Sequence, residues 1–145
     1  MFARVTQAML CSMFLISAAR AEKIAVVEMP WTRVPAAELE KFEAKLGEIR
    51  VNNFALEKSP RTVAAGSAAV HDFSASIANR SKMDAHVLVQ VVGVQQDASP
   101  TLSAEGSVDI EARHTETLRS TTAYPEQATM DTIAYYVRVL ATPPD

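Results

Sequence analysis

The run from His86 to Val94 (HVLVQVVGV) limits the possible folds of this chain more than any other stretch. Val87, Val89 and Val91 point to one side of an extended chain. Leu88, Val92 and Val94 point to the other, and Gln90 is the sole polar interruption. That pattern suits a central strand with both faces partly covered. Upstream, Phe73, Ala75 and Ile77 alternate with Ser74, Ser76 and Ala78, the mark of a half-buried strand. The residues between the two runs, Asn79 to Asp84, are turn-forming, so an antiparallel hairpin is expected.

The rest of the chain continues this pattern. Glu22 to Glu28 is a short strand-like run, followed by Met29-Pro30-Trp31-Thr32-Arg33-Val34-Pro35, where two prolines break regular structure. Ala36 to Leu46 reads as an amphipathic α-helix with Pro35 as its first residue and Gly47 as its stop. Its apolar stripe is Leu39, Phe42 and Leu46. Ile49 to Glu57 reads as a strand, and Ser59 to Gly66 as an edge or turn segment. Thr101 to Ala104 reads as a short edge strand and Glu105-Gly106 as a turn. Ser107 to Ala112, Thr117 to Tyr124 and Ile133 to Ala141 read as strands. Together they predict a mainly β protein: an antiparallel sandwich of about seven strands with one N-terminal α-helix. A boundary near Gly47 would set an extension, 22–47, apart from the sandwich, 48–145.

The first residues read differently. Arg4 precedes a short apolar run from Ala8 to Ile16, and Ala19-Arg20-Ala21 is a cleavage pattern before Glu22. These features predict a signal peptide over 1–21 and a periplasmic or secreted product. The run is too short to span a bilayer. The chain's single cysteine, Cys11, lies within it after Leu10, which does not fit a lipid-anchoring signal. The mature chain then has no cysteine, hence no disulfide and no thiolate chemistry. It keeps 12 basic and 17 acidic residues, a balance of −5. With no basic cluster, nucleic acid and anionic membrane are not expected partners.

The layout from Val63 to Ala141 resembles bacterial immunoglobulin-like domains. It is similar in particular to the periplasmic C-terminal tail of cytochrome oxidase accessory proteins of the FixG type. Ile77 and Asn79, Val89, Gly93 and Val94, Val108 and Ile110, and Leu118 and Arg119 carry the likeness. It implies an immunoglobulin-like sandwich that works near a membrane complex. It implies no redox activity, because the membrane helices and cysteine clusters of those proteins are missing here.

Few residues point to chemistry. His71 and His114, with Met83, Met130 and Asp72, are candidate metal ligands if both histidines share one end of the sandwich; His86 would then lie at the other end. Asp109 and Glu111 share a strand face, where general acid–base work competes with a plain solvated surface. No G-x-S-x-G elbow and no phosphate-binding glycine loop occurs. Asn79-Arg80-Ser81 matches a glycosylation sequon. Trp31, beside Pro30 and Val34, is either an interface residue or a lid on the core. Leu39, Phe42 and Leu46 either cover the sandwich or meet a partner. The expected function is a non-enzymatic protein-binding or assembly module, with Trp31, Leu39, Phe42 and Leu46 as candidate partner-binding residues and no cofactor. A metal-handling protein using His71 and His114 is the alternative.

Overall fold

The computed structural model describes residues 26–59 and 68–144. The expected signal peptide, and the turn expected at Gly66, lie outside them. The described chain folds into two antiparallel sheets of four strands each. Sheet A runs β1 (Val27–Pro35), β8 (Ala134–Thr142), β5 (Ala85–Val94), β6 (Pro100–Ile110). Sheet B runs β2 (Ala44–Leu46), β3 (Ile49–Lys58), β4 (Ala68–Asn79), β7 (Thr115–Pro125). A 3-10 helix (Ala36–Lys41) joins β1 to β2, and α1 (Glu126–Asp131) joins β7 to β8.

The core lies between the sheets and follows the alternation of the strands. Val87, Val89, Val91, Val137 and Val139 enter it from sheet A; Val51, Phe54, Phe73, Ile77 and Leu118 enter it from sheet B. In β3 the alternation breaks at Asn53. Its φ of 52° marks a bulge that returns Phe54 to the inner face.

β4 and β5 do not pair as a hairpin. They belong to opposite sheets and face each other across the core. Both carry an apolar inner face, and residues 80–84 carry the chain across a gap of about 10 Å, the usual spacing of packed sheets.

The expected α-helix over Ala36 to Leu46 is not formed. The chain makes the 3-10 helix, an extended link at Phe42-Glu43, and then β2. The apolar positions fit this path equally well. Leu39 and Phe42 are three apart, which aligns them on a 3-10 helix. Ala44 and Leu46 are two apart, which aligns them on a strand. Pairing with β3 decides between the two readings: Ala44, Lys45 and Leu46 align with Val51, Arg50 and Ile49. Gly47, with φ of 58°, opens the two-residue turn of this hairpin instead of ending a helix. Residues 27–46 thus contribute a strand to each sheet and are integral to the sandwich.

Edges are handled in two ways. β1 carries Pro30 and Pro35 and pairs only with β8, as expected of proline in a strand. The 3-10 helix packs along β3 beyond the short β2.

Glu105-Gly106 is not a turn, because β6 runs through it. Gly106 opposes Val89, and a Cβ there would lie 2.7 Å from Leu118 Cδ2. Gly93 is hemmed in by more residues: a Cβ would meet Thr101 Oγ1 at 2.8 Å, and Leu102 Cγ and Thr132 Oγ1 at 3.0 Å. Gly93→Ala is therefore expected to cost about 1–3 kcal/mol by overpacking. Urea denaturation tests this, and a midpoint equal to wild type would contradict it.

Candidate binding surface

The outer face of sheet A carries the most distinctive exposed group. Trp31 sits where the β1–β8 register shifts, between Met29↔Val139 and Thr32↔Val137. It is 45% exposed. The Arg138 guanidinium lies 6.0 Å from the indole centroid, a cation–π distance. Arg138 Nε also donates to Glu28 Oε1 at 2.8 Å, which fixes the guanidinium on the face.

Strand register extends this row. Arg138 aligns with Gln90 on β5, and Gln90 with Glu105 on β6. Gln90 Nε2 donates to Glu105 Oε2 at 3.2 Å. The neighbouring row is Tyr136, Val92 and Ser103, and Leu88 aligns with Leu140 on the other side. At the β6 edge, Thr122 Oγ1 of β7 donates to the Ser103 carbonyl at 3.1 Å. A shallow trough of about 380 Å³ crosses this surface from Trp31 over Gln90 and Val92 to Ser103, Glu105 and Thr122.

The other expected partner-binding residues lie elsewhere. Leu39 and Leu46 are buried in the core, at 4% and 3% exposure. Phe42 is half-buried and packs its ring 5.7 Å from that of Phe54. The stripe is thus an intramolecular contact. Of the four residues, Trp31 is the most exposed. The residues that join it, Arg138, Gln90 and Glu105, come from three other strands, and no local motif marks them. The one available signal was the outward position of Gln90 between Leu88 and Val92.

The histidines do not converge. His71 lies near the start of β4, while the His114 carbonyl accepts from the Asn79 amide at the end of that strand. Eight residues of strand separate the two ends, on the order of 25 Å. It is His86 that shares an end with His114, because Ala85 opens β5 opposite Ile110. His86 Nδ1 lies 2.6 Å from Asp109 Oδ1 in an exposed cross-strand pair. This geometry overturns a metal site built on His71 and His114.

His71 is instead a core residue, stacked on Tyr124 with ring centroids 4.1 Å apart. The Tyr124 hydroxyl is buried without a hydrogen-bond partner among the described residues. Burial, with Tyr135 adding to it, pushes its pKa up from 10.0 to about 12. A raised folded pKa means that stability is intact below pH 10 and falls as pH rises toward 12. Tyr124→Phe removes both penalties. It is expected to be as stable as wild type or about 1 kcal/mol more stable at pH 7, with a wider margin at pH 11. Thermal midpoints at both pH values check this, and a variant less stable at both would refute it.

Asn79 is not a glycan acceptor in the folded chain. It is 1% exposed, and its amide is engaged with Met83, Ile110, Glu111 and Ser81. No protein-family model matches the chain, and no curated protein matches it.

Proposed function

We propose that this protein is an exported, non-enzymatic binding or assembly module that engages its partner through the outer face of sheet A. One observation carries the reading: the chain's single tryptophan stands half-exposed there, held by Arg138, on a face that no other described element covers. Tryptophan is enriched among residues that dominate binding energy, and arginine with it. The expected partner is a protein, in keeping with a module working beside a membrane complex outside the cytoplasm. We also read the frame as immunoglobulin-like. Support comes from the order β3-β4-β7 in one sheet and β6-β5-β8 in the other, in which β7 returns beside β4 and β8 beside β5. β1 and β2 would then be additions to the outer edges.

A photo-reactive amino acid placed at Trp31, or at Ser76 on the outer face of sheet B, tests this in the intact cell envelope. Adducts are expected from position 31 and not from 76. Equal yields at both positions, or none at 31, would overturn the reading. Trp31→Ala is expected to keep the wild-type unfolding midpoint to within about 1 kcal/mol, because the ring is largely outside the core. Calorimetric melting checks that loss of adducts is not loss of fold.

A further inference from the structure

We propose that the trough on sheet A binds a neutral oligosaccharide chain, with one sugar ring stacked on the indole of Trp31. This rests on the outer face of sheet A being the binding surface, but not on the partner being a protein. The trough holds about 380 Å³, within the range of small-ligand sites. It is lined by residues of β1, β5, β6 and β7, so it runs across the strands. A peptide adding a strand needs a free edge parallel to its own axis, and an apolar peptide needs pockets for its anchors. This trough offers neither: of the described aliphatic residues lining it, Val91 and Ala104 are buried in the core and Val92 alone faces outward.

Its chemistry fits a polyol instead. Sugar rings present C–H groups on their faces and hydroxyls at their rims. Trp31 supplies an amphipathic ring with an exposed surface. Gln90 offers a carbonyl oxygen and an amide, Glu105 two acceptors, and Ser103 and Thr122 hydroxyls that both donate and accept. Arg138 pairs through Nε with Glu28 and lies against the indole, and none of the described residues lining the trough is a cation that would draw an anionic glycan. Among the described residues on its wall, Glu105 is the one charged group, which favours neutral over acidic sugars.

Because the chain has a single tryptophan, its fluorescence reports on this site alone. The intact mature protein is titrated with chitotetraose, cellotetraose and maltotetraose, and with a neutral six-residue peptide. A saturable change is expected with at least one sugar. Gln90→Ala is expected to weaken it by about three- to tenfold, the value of a lost hydrogen bond, and Ser76→Ala on the opposite face to leave it unchanged. Amide chemical shifts of the wild-type protein give an independent readout, with changes confined to outward positions of β5 and β6. No response to any sugar at millimolar concentration overturns the inference, as does a response that Gln90→Ala leaves intact. A response to the peptide alone overturns the sugar but leaves the surface standing. Failure of the surface itself shows as absent adducts at position 31 together with no response to either class.

Discussion

Val89→Asp is expected to leave no folded protein at room temperature. Val89 is fully buried at the centre of β5, between Val139 on β8 and Gly106 on β6. An aspartate there faces the apolar side chains of sheet B, and the described core residues include no cation to pair with it. Removing an unpaired charge from water costs several kcal/mol, and protonating it instead still leaves a buried polar group. A domain of this size has a total stability of about 5–15 kcal/mol, so this one change removes much or all of it. Circular dichroism and urea denaturation are the measurements. Ser107→Asp, on the exposed side of neighbouring β6, is the control and is expected to shift stability by no more than about 0.5 kcal/mol. Cooperative unfolding of Val89→Asp near the wild-type midpoint would mean that β5 is not the central strand.

The contrast between Val89 and Ser107 marks what was legible in the sequence. Alternation is local, so the strands containing Phe73, Val89 and Val137 could be read directly, and so could the inward side at Phe73 and Val137. The Val89 strand was expected to be partly covered on both faces, whereas Val87, Val89 and Val91 enter the core and Leu88, Gln90 and Val92 face outward. Sheet membership is not local. The turn after Asn79 is compatible both with a hairpin and with a crossing between sheets, and only the packing of two apolar faces selects the crossing. The stretch from Leu39 to Leu46 failed for a related reason. Spacings of three and two mimic one helical stripe, and pairing with β3 overrides local preference. Gly106 was misread because a glycine that admits a neighbouring side chain looks like a glycine that turns the chain. At the candidate surface, Trp31 stood out by residue type. Arg138, Gln90 and Glu105 did not, because strand register brings them together from positions up to 107 residues away in the chain.

The second large effect is expected at Asn79, where one buried amide ties three connections together. Its Nδ2 shares two protons among the carbonyls of Met83 at 2.8 Å, Glu111 at 3.2 Å and Ile110 at 3.4 Å. Its Oδ1 accepts from the Ser81 amide at 3.0 Å and the Ser81 hydroxyl at 2.7 Å. Its backbone amide reaches the His114 carbonyl, and the next amide, of Arg80, reaches the Glu48 carbonyl. The crossing from β4 to β5, the β6–β7 turn and the β2–β3 turn therefore meet at this residue. Asn79→Ala leaves buried carbonyls and an amide unpaired, at a cost of about 2–4 kcal/mol. Ser81→Ala keeps the side-chain bond from Asn79 to the Ser81 amide and is expected to cost less. Asn79→Asp separates hydrogen bonding from shape. It has nearly the same size, but turns an oxygen toward three carbonyls that need a donor, so at neutral pH it is expected to be less stable than Asn79→Ala. Below its pKa the protonated acid regains one donor, and the gap should narrow. Unfolding midpoints of the three variants at neutral and acid pH decide the matter. An Asn79→Asp protein as stable as wild type would show that shape, and not the donated bonds, holds this corner of the sandwich.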